Sequence, residues 1–355
     1  MWFKFQTGIR LSEISMIKNI IYIAFVSTDH IGVLKKISGQ VNTWGSLGYS
    51  VTVINDITTG STLRKFSARY LTLFRYFILN KNSGSAIYMR QTPMLPLFAF
   101  MLRRRSFSCE VNADVKAESK NYSLAKRIFA LLFPQNIHNI SSSSFYVSSE
   151  LANRLHQSEG EAYVFPNSLH ALPIERTLPR KCNVVFVGTP KYLWQGFDLF
   201  ISIVKAMPRY QFHVIGADSG PISNNLQYHG ALTGSEYNIA MSSMDFAIGT
   251  LAFYRAGIVE GSPLKVRDYL AFNLPFVIGY DDSDFSNSDF CLRINTDALS
   301  EEIVRIDKFF DVWRNQSINI SGDSEYLNIN REGIRASLIC AGNLDHVDSS
   351  LVSLK

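Results

Sequence analysis

The run Glu260-Gly261-Ser262-Pro263-Leu264-Lys265-Val266-Arg267-Asp268 brings two carboxylates, a lysine and a helix start together. Ser262 is a strong helix N-cap type, and Pro263 suits a first helical position because its missing N–H would be unpaired there anyway. Leu264, Val266, Leu270 and Ala271 supply an inward-facing apolar set. Asn273 can close the helix in the left-handed region, and Leu274-Pro275 resists continuing it. The spacing predicts a helix over Pro263–Phe272 whose first N–H groups, at Leu264 and Lys265, are unpaired and carry positive partial charge. Such a start binds anions and suits a diphosphate. Gly261 would permit close approach, and Lys265 would add charge. Asp268 lies about 7–8 Å further along the helix, where a carboxylate can accept from ribose hydroxyls. Glu260 would then address the hydroxyls of a sugar. The competing reading is an ordinary capped helix with surface carboxylates.

The first half of the chain holds a second set. Gly32 follows the first strand and would let backbone approach the same phosphates or an acceptor, or it simply makes a strand-to-helix turn. Arg90 and Asn112 stand at or just beyond two strand ends, on the edge where open parallel sheets bind ligands. Arg90 offers an acceptor phosphate its planar fork. Glu110, in the second of those strands, can orient a sugar hydroxyl or act as a base. The alternative is a local Arg90–Glu110 ion pair.

These residues need a scaffold, and the chain alternates strand-like with helix-like runs. Strands are expected at Asn19–Ser27, Tyr49–Ile54, Ala86–Arg90, Phe107–Val111, Phe145–Ser148 and Ala162–Phe165. Helices are expected at Gly32–Leu47, Thr62–Asn80, Pro93–Arg104, Ala117–Leu132 and Ser149–Leu155. Prolines 166, 173 and 179 mark Asn167–Arg180 as a linker. The pattern then restarts. Strands are expected at Asn183–Val187, Gln211–Ile215, Tyr228–Gly230, Asp245–Gly249 and Pro275–Gly279. Helices are expected at Gly196–Ala206, Gly234–Met241, Pro263–Phe272 and Leu299–Arg314. Strands joined by crossover helices mean parallel sheets covered on both faces. The 355 residues thus divide into α/β domains over 17–170 and 181–320, with a weakly patterned tail over 321–355.

Composition narrows the classes. A hydrophobic content of 46% against 18% charged residues excludes a disordered chain. Cys109, Cys182, Cys291 and Cys340 lack CxxC spacing, which argues against a disulfide framework or a zinc site and for a reducing compartment. The net charge of +5 suits an anionic ligand or membrane face. No run reaches the ~20 apolar residues of a membrane span, and Met16–Val26 reads as a strand rather than a signal peptide, so a cytoplasmic location is expected. The basic residues are not organised with stacking aromatics in a known nucleic-acid-binding module, which disfavours nucleic acid. Thr62–Asn80 and Pro93–Arg105 are both apolar and basic. They suit peripheral contact with an anionic leaflet, or are core helices with snorkelling ends.

The segment from Glu260 to Ala271, followed by Asn273-Leu274-Pro275-Phe276-Val277, resembles the donor segment of retaining GT-B glycosyltransferases, especially those building bacterial cell-surface polysaccharides such as O-antigen or capsule. Asp268 stands where the family has Glu, and Asn273 where Gly is usual. Phe186-Val187-Gly188-Thr189-Pro190-Lys191 through Trp194-Gln195-Gly196 is similar to the family's opening of the second domain. Thr189 and Gln195 replace the usual Arg and Lys. The resemblance implies donor contacts at Gly188, Thr189 and Lys191, although Lys191 also reads as a solvated loop lysine. It implies base contacts through backbone at His229 and Gly230. It further implies a GT-B architecture of two Rossmann-like domains facing a cleft, a nucleotide-sugar co-substrate, no cofactor or metal, and a lipid-linked saccharide acceptor. A nucleotide-sugar epimerase, a phosphorylase-like enzyme and a non-catalytic nucleotide-sugar-binding subunit stay open as alternatives.

Overall fold

Two parallel sheets form, their inner strands buried and their edge strands β2, β6, β9 and β12 half-buried or exposed. The computed structural model describes residues 18–26, 30–55, 62–79, 84–92, 102, 106–114, 136–157, 159–169, 173–319 and 330–342. The first sheet comprises β1 (Asn19–Ile23), β2 (Ser50–Ile54), β3 (Ala86–Arg90), β4 (Ser108–Val111), β5 (Ser143–Tyr146) and β6 (Glu161–Val164), in the order β2-β1-β3-β4-β5-β6. Helix α1 (Ile31–Ser46) links β1 to β2, α2 (Thr62–Leu79) follows β2, and α3 (Ser149–Leu155) precedes β6. The register sets Tyr22 beside Tyr88 and Arg90 beside Glu110. The helices expected at Pro93–Arg104 and Ala117–Leu132 fall, apart from Leu102, outside the described residues.

The second sheet comprises β7 (Asn183–Val187), β8 (Gln211–Ile215), β9 (Leu226–Tyr228), β10 (Phe246–Ile248), β11 (Phe276–Ile278) and β12 (Cys291–Arg293), in the order β12-β11-β10-β7-β8-β9. Its helices are α4 (Phe197–Ala206), α5 (Gly234–Ser242), α6 (Leu264–Ala271) and α7 (Leu299–Trp313). Strand order reverses between β1 and β3 in one sheet and between β7 and β10 in the other. Those switch points are where open α/β sheets hold ligands.

Two elements go beyond the sequence reading. β12 is a short edge strand. α8 (Arg331–Ala341) lies in the supposed tail and returns to the first domain, where Ala336, Ile339 and Cys340 share a core with Tyr22, Trp44 and Tyr88. Trp44 Nε1 donates to Glu332 O at 3.1 Å. Among the described residues, no helix is long and apolar enough to cross a membrane.

Candidate active site

Helix α6 begins one residue later than its sequence suggests. Pro263 is the N-cap, extended at φ −66° and ψ 139°, and has no side-chain capping bond. Ser262 is therefore not the cap. Its hydroxyl accepts from Asn167 N–H at 2.7 Å, and its carbonyl accepts from the Asn167 amide. Ser262 thus ties the start of α6 to the chain leaving the first sheet, and that contact takes the oxygen a cap would use. The N–H groups of Leu264 and Lys265 have no hydrogen-bond partner among the described residues. Facing them is the start of α1, where a side-chain carbon on Gly32 would lie 3.9 Å from Leu264 Cδ1. Two helix N-termini, each with donors unpaired among the described residues, meet across the domain boundary.

Lys265 and Tyr269, one turn apart on α6, reach the second switch point. Lys265 Nζ donates to Val187 O at 3.0 Å and to Gln195 Oε1 at 2.7 Å. Tyr269 OH donates to Ile248 O and accepts from Val187 N–H. Burial pushes the Lys265 ammonium down to about 7, since no carboxylate is paired with it to offset the lost water. An arriving anion would restore its charge.

The two acids at either end of this segment are both held by the first domain. Glu260 Oε2 accepts from Glu150 N–H of α3 at 2.9 Å, while its Oε1 is buried without a partner. Asp268 forms an ion pair with Lys35 of α1 and accepts from Tyr237 OH at 3.2 Å. Burial and the neighbouring Asp268 charge raise the Tyr237 hydroxyl far above its ordinary value, so it stays a donor. Gly261 does not open the loop to a ligand. A side-chain carbon there would meet Phe253 Cε2 at 2.6 Å, and its N–H is bound to Asp281 O.

For Glu110 the structure shows the alternative reading, the Arg90 ion pair, within a larger cluster. Glu110 is fully buried and ringed by Lys36 at 2.5 Å, Arg90 at 3.0 Å and Arg335 of α8 at 3.5 Å. Tyr22 OH also donates to it. Burial alone would raise its carboxyl, but the three cations outweigh that and hold it well below the carboxylate range. A base must take up a proton and reach substrate; the three cations oppose the first and full burial opposes the second. Glu110 is the centre of a buried charge cluster. Arg90, expected to bind an acceptor phosphate, is spent on Glu110. Asn112 accepts from Lys36 Nζ at 2.8 Å.

The remaining expected donor contacts divide. Room for a side chain at Gly188 is taken by Gln195, whose Oε1 would lie 2.1 Å away. Thr189 and Lys191 are exposed on the loop after β7. His229 stacks on His213, with ring nitrogens 2.9 Å apart, and its backbone N–H is bound to Val214 O. Gly230 is left-handed at φ +69° and anchors to Ala217 O. Its backbone conformation, rather than an open face, explains the glycine. Among the described residues, no three His, Cys, Asp or Glu side chains converge to hold a metal.

Sequence reasoning missed Lys35, Tyr237 and Glu150, and read Gln195 only as a departure from the family's Lys. Lys35 and Lys36 are adjacent and serve different clusters, and nothing local distinguishes them.

No family model matches the chain, and no curated protein matches it. Solved structures do. A glycosyltransferase from Rickettsia africae ESF-5 is similar over 94% of this chain and 100% of its own, with a TM-score of 0.58 at 10% identity. A UDP-forming alpha,alpha-trehalose-phosphate synthase from Burkholderia xenovorans is similar over 94% of this chain and 100% of its own, at 0.55 and 9% identity. The GtfA/B complex is matched at 0.51 and 10% identity over 78% of this chain, which spans 61% of the length of that one. The chain has the GT-B fold of these glycosyltransferases, two Rossmann-like domains facing one cleft.

Proposed function

We propose that the chain is a glycosyltransferase that moves a sugar from a nucleoside diphosphate sugar to an acceptor, with retention of configuration. The observation that carries this is the meeting of two helix starts beside Lys265 at a switch point, between Glu260 and Asp268. Negative charge that develops on the departing diphosphate is met by the N–H groups of Leu264 and Lys265 and by the Lys265 ammonium. Donors fixed in place before reaction stabilise such charge most. The reading includes no resident metal, because these groups supply the positive charge. Glu260 takes a sugar hydroxyl on its free oxygen, and the ribose replaces Lys35 on Asp268. The likeness of Glu260–Asp268 to retaining enzymes supports retention. A lipid-linked saccharide is the acceptor in this reading. α2 supports it by turning Leu71 and Phe74 outward beside Arg75, an apolar and basic face suited to a membrane surface.

A panel of uridine, guanosine and thymidine diphosphate sugars tests the reading. The matching donor raises the melting midpoint by mass action. Glu260→Ala should cut turnover on the order of a hundredfold or more. Wild-type turnover in that variant removes Glu260 from the site.

A further inference from the structure

The loop that carries Glu260 is held from both domains. On its own side it makes one β-bridge, in which Gly261 N–H donates to Asp281 O at 2.9 Å and Asp281 N–H to Val259 O at 2.8 Å. On the other side stands Glu150 of α3. Its Oε2 accepts Val259 N–H at 2.8 Å and Glu260 N–H at 2.7 Å. In return, Glu150 N–H donates to Glu260 Oε2 at 2.9 Å. Arg154 completes the grip. It pairs with Glu150 Oε1, donates to Gly257 O at 2.7 Å and lies 3.6 Å from Asp114.

Two carboxylates this close repel unless donors lie between them. Here three N–H groups link the two segments, and the Arg154 guanidinium offsets the charge of Glu150. The arrangement fixes both the backbone and the side chain of Glu260 and leaves Oε1 buried with no partner. An orphaned buried oxygen is costly and marks a place for a ligand donor. If the domains part, the Val259 and Glu260 amides and the Glu260 carboxylate lose their partners together.

We propose that Glu150, braced by Arg154, is a positioning residue for glycosyl transfer: domain closure aligns Glu260 through it. This rests on the glycosyltransferase reading. Glu150 touches no substrate. It couples closure to the orientation of the carboxylate that does.

Two measurements on the full chain test this, using wild type, Glu150→Ala and Glu150→Gln. In amide hydrogen exchange without ligand, residues 257–261 should exchange roughly tenfold faster or more in Glu150→Ala. Glu150→Gln keeps an acceptor oxygen and should stay near wild type. Unchanged exchange in Glu150→Ala overturns the proposal. With the donor selected by the sugar-nucleotide panel, Glu150→Ala should lower kcat about ten- to a hundredfold, with donor KM within about threefold. Glu150→Gln should recover most of kcat. Wild-type kcat in Glu150→Ala, or a loss confined to KM, removes the role. If no sugar nucleotide is turned over by wild type, the glycosyltransferase reading fails and this role falls with it. Turnover in wild type that ignores Glu150 sinks only the positioning role.

Discussion

Replacing Lys265 by Met tests the phosphate site through its pH dependence. Lys265 Nζ is held by Val187 O and Gln195 Oε1, and burial brings its ammonium down to about 7. The substituted phosphates of a nucleotide sugar keep their charge across neutral pH, so the proton that binding takes up sits on the lysine. If the anion needs the ammonium, apparent affinity falls as one plus ten to the power of pH minus about 7. From about pH 6 to about pH 8 that factor grows from about 1.1 to about 11, so wild-type affinity drops roughly tenfold. Lys265→Met should bind weakly at about pH 6 and show a flat profile. Titration calorimetry in two buffers of different ionisation heat reads both the affinity and the proton taken up. Stability moves the other way. The folded value lies below the unfolded 10.5, so the ammonium costs stability below about 7, and the cost is relieved as pH rises towards 10.5. Lys265→Met should therefore melt higher than wild type at neutral pH, with the gap closing across that window. A wild-type affinity that ignores pH, or a Met variant with the same slope, would falsify the assignment.

Glu110→Gln leaves Lys36, Arg90 and Arg335 buried around a neutral amide and should cost about 3–5 kcal/mol in denaturant unfolding. Because the folded Glu110 value is depressed, its stabilisation is complete above the ordinary 4.5 and is lost as pH falls below it; the Gln variant should lose that acid-limb dependence. Asn273 is left-handed at φ 54°, with its side chain accepting from Ile318 N–H at 2.9 Å and Arg180 at 3.0 Å. Asn273→Ala should destabilise by about 2–4 kcal/mol, and Asn273→Gly should recover the backbone share of roughly 1–2 kcal/mol. Lys35→Ala breaks an exposed interdomain pair and should change stability by less than about 1 kcal/mol, whereas Asp268→Ala should raise donor KM about tenfold. Equal effects of the two on donor KM would mean that Asp268 serves the domain contact and not the ribose.

The inner strands of the second sheet were legible, whereas β9, expected at Tyr228–Gly230, lies two residues earlier at Leu226–Tyr228. β7 and β8 fall where their apolar runs lie, because a parallel strand covered on both faces is written as an uninterrupted branched or aromatic stretch. The end of α6 was legible too, since Asn273 does adopt the left-handed conformation its type allows. β12 was not, because a three-residue edge strand that is only half-buried has no period to read. The start of α6 failed for a different reason. Ser262 is a capping residue by type, but Asn167, far away in sequence, offers its hydroxyl a better-placed donor.

The missed tail helix and the misread glutamate share one cause. α8 patterns weakly because it buries Arg331, Glu332 and Arg335 alongside its apolar residues. Buried charges look like solvent-facing ones until their partners are known. Arg331 pairs with Asp284 of the second domain, and Arg335 with Glu110 of the first. Within the first domain Glu110 already pairs with Lys36 and Arg90, and α8 adds the third cation, Arg335. With α8 in place, the acid is fully buried among three cations and a tyrosine. Local chemistry in the sequence located helix α6, since caps, glycines and prolines act on their neighbours. It could not show whether an acid was free, because Glu260, Asp268 and Glu110 all meet partners supplied by other elements. Of the three, only Glu260 keeps an oxygen that is both buried and unpartnered. Under the proposed function, that oxygen is the one placed to answer a sugar hydroxyl.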